Sequence, residues 1–273
     1  MKKIWLTIIA LTLVISAGLG YYWYSQIKVP YDNAVSLFTK AESSVNEKNI
    51  ILEDEIAKAQ KIIDSKEHPL DESTLTELQV SIAEAKQRKR TIPGIPNKIA
   101  PVKKETLKLS SPLDYSKEIE TLNKSSIAVT TSIKQLKQVT HPNESFIITK
   151  LKDVSLIKDI FAVTEENDPN GNLNKAGGYT AAIFFSSDLV DQSKIFGDNL
   201  VDKGTDAGGS IEVYQNVEDA NRRNDYLSSF DGSALRAGSH TVIGTVVIRT
   251  SDEMTATSQK ELENEIIESL TTI

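Results

Sequence analysis

The sequence predicts an α+β protein: an N-terminal transmembrane helix, an α-helical hairpin or three-helix stalk, and a C-terminal α+β domain with a small mixed or antiparallel sheet. Three observations lead there. An uncharged run of 21 residues covers positions 4–24. Apolar residues then recur at helical spacing as far as residue 136. From residue 143 the texture changes to short apolar alternations, interrupted by most of the chain's 13 glycines.

A helix rises about 1.5 Å per residue, so about 20 apolar residues cross the hydrocarbon core of a bilayer. Residues 4–24 meet that length. Trp5 stands near one end and Tyr21, Tyr22, Trp23 and Tyr24 cluster at the other, where amphipathic rings prefer the membrane–water interface. Lys2 and Lys3 precede the run. The positive-inside rule therefore keeps the N-terminus cytoplasmic and the bulk of the chain extracellular, in a single-pass protein of the cell membrane. The rival reading is a cleaved signal peptide, with a shorter apolar stretch of about 7–15 residues and a small-x-small site. Ser16-Ala17-Gly18 is a poor version of that site, and with no Cys in the chain a lipoprotein anchor is excluded.

Residues 1–28 thus form the cytoplasmic tip and anchor, and 29–142 the stalk. Ala34, Phe38, Ala41 and Val45, continued by Leu52, Ile56, Ala59 and Ile63, make the stripe of an amphipathic helix over about 31–65. It ends before His68-Pro69, because a residue preceding proline avoids helical geometry. A second helix over about 71–90 carries Leu75, Leu78, Ile82 and Ala85, with basic residues in its last turn to suit the helix dipole. Three prolines and a glycine between Thr91 and Pro101 predict an extended, semi-rigid basic linker over 91–110. Ser111-Pro112 suits the start of a third helix, about 112–139. Along it Tyr115, Ile119, Leu122, Ser126, Val129, Ile133 and Leu136 alternate steps of four and three as a heptad seam.

Residues 143–273 form the distal domain. A short helix near 144–152, strands over 159–164, 179–185, 210–214 and 240–248, a helix capped by Asn216 and a last helix starting between Thr255 and Ser258 make one antiparallel or mixed sheet with helices on one face. The last helix is expected to bury Leu262, Ile266, Leu270 and Ile273.

Two resemblances attach to these zones. LEDEIAKA (52–59) and LQVSIAEA (78–85) share Leu-x3-Ile-Ala-x-Ala, which resembles the FIVAR type of helical module in large bacterial surface proteins and implies an antiparallel hairpin. The segments TEENDPNGNLNKAGGYT (164–180), GTDAGGSIEVY (204–214), EDANRRNDYL (218–227), FDG (230–232) and GSHTVIGTVVIRTS (238–251) are similar to a module of uncharacterised membrane-anchored surface proteins of Gram-positive bacteria. That resemblance implies an envelope location and carries no known activity.

Charge and composition narrow the function. The formal net charge of −7 is split: residues 143–273 hold 22 Asp and Glu against 11 Lys and Arg, and residues 1–142 hold 16 against 20. Residues 86–108 contain eight basic residues and one acid, Glu105. Such lysines attract anionic lipid or wall polymers, or serve simply as a solvated linker. The acidic distal zone disfavours nucleic acid. Without cysteine there is no disulfide or thiol chemistry.

Glu165, Glu166, Asp168, Asn170, Asn172 and Asn174 crowd into ten residues, and oxygen donors of this kind suit calcium. If their loop meets that of Asp202 and Asp206, then Glu166, Asp168, Asn170, Asn172 and Asp206 make a calcium site. The spacing is not that of an EF-hand, and the same residues also build turns. His240 reads as a structural histidine bonded to a loop. Arg222, Arg223 and Asp225 read as a solvated helix face. No nucleophile elbow, HExxH motif or phosphate-binding loop is present. The expected function is non-enzymatic, with no catalytic residue: binding of a cell-wall polymer or envelope protein by a head raised on a helical stalk. The alternatives are a subunit of a larger membrane complex, or an extracytoplasmic hydrolase using Glu166, Asp206 and His240.

Overall fold

The computed structural model describes residues 2–233 and 238–273; Met1, at the expected cytoplasmic tip, lies outside them. It is α+β, with a long apolar N-terminal helix and one small antiparallel sheet. Helix α1 (Lys2–Trp23) passes through one π-helical turn, Tyr24–Lys28, into α2 (Val29–Asp64). The apolar part is long enough to cross a membrane and is exposed throughout. The helix expected to begin near residue 31 is therefore continuous with the apolar one. Pro30 explains the wide turn. It has no N–H to offer the carbonyl of Gln26, and its ring crowds that carbonyl. The turn widens instead, and Val29 donates to Tyr24 O.

The chain divides into two compact units, of which the first is Met1–Lys66 with Thr76–Ile127. Here α2 buries Ala34, Phe38, Val45, Leu52, Ile56 and Ala59, and α3 (Ser73–Arg88) buries Leu78, Ile82 and Ala85. The repeated Leu, Ile and second Ala positions are thus buried in both helices. Asn49 donates from Nδ2 to Arg90 O at 2.8 Å, and Lys89 pairs with Glu53 at 2.5 Å. The expected linker over 91–110 is extended only to Pro96, and the chain bends at Asn97-Lys98. Residues Ile99–Leu109 form α4, which seats Val102 and Leu109 against Ala34, Phe38 and Val45. Pro101 is tolerated because it falls in the first turn, where N–H groups have no helical acceptor. Helix α5 (Ser116–Gln138) starts later than Ser111-Pro112 predicts. Asp114 accepts from Ser116 N at 2.9 Å and holds that start. Of the heptad seam, Tyr115, Leu122, Val129 and Ile133 are buried.

The second unit is Glu67–Leu75 with Ala128–Ile273. Its five strands are β1 (Ile157–Ala162), β2 (Tyr179–Ser187), β3 (Gly208–Tyr214), β4 (His240–Ile243) and β5 (Val246–Thr250). They lie in the order β1-β2-β3-β5-β4, every pair antiparallel. Helices cover both faces, not one. On the first, α6 (Glu144–Lys152) and α9 (Ala256–Thr271) pack Ile147, Leu151, Leu262, Ile266 and Leu270 against Ile183, Ile211 and Ile248. On the second, α7 (Leu200–Lys203) and α8 (Val217–Ser228) pack Val201, Ala220 and Leu227 against Ala182, Phe184 and Val247. Strand β3, expected to be half-buried, is consequently buried on both faces. Asn143, Asn216 and Thr255 cap α6, α8 and α9 with side-chain oxygens, each taking a backbone N–H three residues on. Ile273 lies beyond the end of α9 and is exposed.

The single strand expected over 240–248 is a hairpin, β4–β5, turning at Gly244-Thr245. Gly244 has φ +60°, and a Cβ there would stand 2.4 Å from Val139 O. Thr245 is held from both sides, donating its N–H to Val139 O at 3.0 Å and accepting at Oγ1 from His141 N at 2.7 Å.

Candidate functional site

Alternation along the strands aims Ser210, Glu212 and Tyr214 of β3 and Arg249 of β5 at the α8 face. Glu212 is the centre of this group, with its side chain only 3% exposed. Arg223 of α8 grips it with two bonds, Nε to Oε2 and Nη2 to Oε1, both 2.8 Å. The Tyr214 hydroxyl donates to Oε2 at 2.7 Å, and Arg249 Nη1 lies 3.7 Å from Oε1. One carboxylate thus answers two guanidinium groups. Burial drives the pKa of Arg249 below its usual value, although Glu212 opposes it. Burial also works against charge on Arg223, but its bonds to Glu212 prevail and hold its pKa above the usual value. Burial and the negative Glu212 raise the Tyr214 hydroxyl. Arg249 Nε and Ser210 Oγ, on paired residues, are buried and have no hydrogen-bond partner among the described residues.

Above this group opens a cleft of about 400 Å³. Tyr179 and Tyr214 meet edge to face within it, ring centres 6.3 Å apart. Its α8 side carries Asp219, Arg222, Arg223 and Tyr226, and its other side Asn170, Asn172 and the backbone of Gly177-Gly178. Tyr226 is 56% exposed, lies under the Arg223 guanidinium and is braced edge-on by Phe230. The two glycines are fixed by space. Gly177 has φ +75°, and a Cβ on Gly178 would fall 2.0 Å from Asn172 O.

Asp168 builds the loop that forms one side. Its carboxylate accepts from the N–H groups of Asn170, Asn172 and Leu173 and from the Tyr179 hydroxyl. Burial opposes its ionisation, but these four donors outweigh burial and hold its pKa below the ordinary value. The Tyr179 hydroxyl is raised in turn by burial and by Asp168.

The five residues expected to share a calcium ion are not brought together. Asp168 is tied to Tyr179, at the start of β2. Asp206 stands two residues before Gly208, the partner of Ser186 at the far end of that strand. Seven residues of strand separate the two ends, about 23 Å. Asp206 faces Asp252, Glu253 and Arg249, and its pKa is raised by burial first and by the two acids second. Asn170 and Asn172 line the cleft, while Glu166 is exposed on the Asp168 loop. Among the described residues, no three His, Asp or Glu side chains gather as ligands of one ion. The separation also divides Glu166 from Asp206, so the set Glu166, Asp206 and His240 shares no site. His240 is placed structurally, Nδ1 at 2.8 Å from Asn224 Oδ1 and Nε2 at 3.2 Å from Asp231 Oδ1.

Sequence reasoning missed the Glu212 group and the cleft. Arg223, read as part of a solvated face, is a half-buried partner of the buried Glu212, whereas Arg222 does stay at the surface with Asp219 and Glu218. The available signal was a carboxylate in the apolar strand Ser210-Ile-Glu-Val-Tyr214, which requires a cation on the element that covers it.

What the cleft offers is an exposed aromatic ring, two side-chain amides, two guanidinium groups, of which Arg223 is engaged by Glu212, and a carboxylate, with two tyrosines at its base. Such a set suits a ligand with apolar C–H faces and many hydroxyls, since the ring covers the former while amide and charged groups pair with the latter. Compared with known protein families, with curated proteins and with solved structures, the chain matches none.

Proposed function

We propose that this chain is a single-pass cell-envelope protein, anchored by α1 with its N-terminus in the cytoplasm and its two units outside. The second unit binds the saccharide backbone of a wall polymer without catalysing a reaction on it. The observation that carries the ligand assignment is the cleft, where Tyr226 stands exposed opposite Asn170 and Asn172. Charge narrows the choice. Residues 143–273 carry 22 acids against 11 bases, which repels polyanionic polymers and favours an uncharged glycan. The helices between anchor and cleft act as a stalk, and a continuous α2 of 36 residues spans about 54 Å.

Co-sedimentation of the full chain in detergent micelles with purified wall sacculi tests this reading. The wild type is expected to sediment at low and high salt, with or without calcium. Tyr226→Ala is expected to reduce sedimentation by about tenfold, as for loss of an exposed aromatic anchor. Equal sedimentation of wild type and variant would reject the cleft as the site.

A further inference from the structure

The first unit has an end that approaches the base of α2. Tyr31 donates from its hydroxyl to Pro96 O at 2.9 Å, and Lys48 reaches Leu113 O at 2.5 Å. Both partners advance by 17 residues between these contacts, so the chain from Pro96 through α4 runs beside α2 in the same direction. The turn before α4 is consequently its nearest point to α1. Tyr31 lies seven residues beyond Tyr24, the last ring of the aromatic cluster, or about 10 Å along the axis. The polar layer of a bilayer is about 5–8 Å deep on each side. With the cluster at the inner boundary of that layer, the turn stands within about 2–5 Å of the outer edge of the headgroups.

Its composition fits that level. Ile95 is 48% exposed at the turn, between Gly94 and Pro96. Pro93 and Pro96 have no N–H to leave unsatisfied there. Lys98 follows at once, with Lys103 and Lys104 on the outward side of α4. Among the described residues these three lysines make no salt bridge, whereas the nearby acids are engaged, Asp32 by Lys28 and Glu105 by Lys108, each at 2.8 Å. The uncompensated charge at this end is positive.

We infer that the turn at residues 93–98 is a second membrane contact: Ile95 inserts among the headgroups of the bilayer that α1 crosses, and Lys98, supported by Lys103 and Lys104, binds their anionic groups. The inference rests on the anchored reading above. It gives the first unit a fixed footing on the membrane, because two separate points of one unit touch the same surface.

The chain has no cysteine, so Ile95→Cys carries a unique fluorophore. The labelled full chain is reconstituted into vesicles of phosphatidylcholine, with or without phosphatidylglycerol, that contain a lipid with a nitroxide on its headgroup. Val80→Cys on α3, 51% exposed in the wild type, is the reference. The label at 95 is expected to be quenched, more strongly with phosphatidylglycerol, and the label at 80 to be spared. Replacing Lys98, Lys103 and Lys104 by Glu is expected to abolish the gain from the anionic lipid. Protein that floats with the vesicles but is quenched no more at 95 than at 80 overturns the inference and leaves the anchor standing. Protein that does not float overturns the anchor, and the inference with it.

Discussion

Glu212 is the residue on which the α8 face depends. Removing its carboxylate leaves Arg223, Arg249 and the Tyr214 hydroxyl facing one another with no acceptor. A buried pair broken on one side costs about 3–5 kcal/mol, so Glu212→Ala is expected to lower the thermal midpoint steeply. Arg222→Ala removes only exposed pairs and is expected to cost less than about 1 kcal/mol. Equal midpoints for the two variants would show that the group is not needed for stability. Asp168 makes a pH-dependent contribution. Its folded pKa lies below the ordinary 3.8, so its contribution is complete above that value and is lost as the pH falls through the folded pKa. Asp168→Asn is expected to destabilise the protein at pH 7, by an amount that shrinks towards pH 3; melting curves across that range check it. That Asp168 belongs to a loop-forming run was legible from its Asp, Asn, Pro and Gly neighbours. That its oxygens are spent on its own loop was not, because turn-making and ion-binding sequences use the same residue types.

At the level of elements, local chemistry was readable wherever one residue dictates geometry. The Asn216 cap, the start of α9 and the buried stripe of α2 follow directly from residue type and spacing. Elements that depend on distant packing were hidden. Helix α4 sits in a segment whose prolines suggest extension, and it is held by apolar contacts of Val102 and Leu109 with α2. The β4–β5 turn was obscured because Gly244-Thr245 lacks the Asn-Gly or Asp-Gly signature and lies in an unbroken β-prone run. Its test is Gly244→Ala. The new Cβ meets a backbone carbonyl in a left-handed conformation, which is expected to cost about 1–3 kcal/mol. Gly204 also has a positive φ, of +61°, but a Cβ there meets nothing within 4 Å. Gly204→Ala carries backbone strain without a clash and is expected to destabilise less; equal falls in melting midpoint would show that the close approach to Val139 adds nothing.

For the whole molecule, the orientation proposed for it in a membrane depends on which flank of α1 holds the stronger positive charge. Lys2 and Lys3 stand on one side and Lys28 on the other. Lys28 is held by Asp32 at 2.8 Å, and that contact raises its pKa while partly neutralising its field. The next base on that side, Lys40, is 16 residues from the apolar run. The bias therefore predicts a cytoplasmic N-terminus, and a long acidic segment such as 143–273 does not oppose that orientation. A unique cysteine reads the outcome directly. Ile273→Cys is exposed beyond α9 and is expected to react with a membrane-impermeant maleimide on intact cells, whereas Lys3→Cys reacts only after permeabilisation. The reverse pattern would place both units in the cytoplasm, out of reach of any wall glycan, and the saccharide reading of the Tyr226 cleft would fall with the topology.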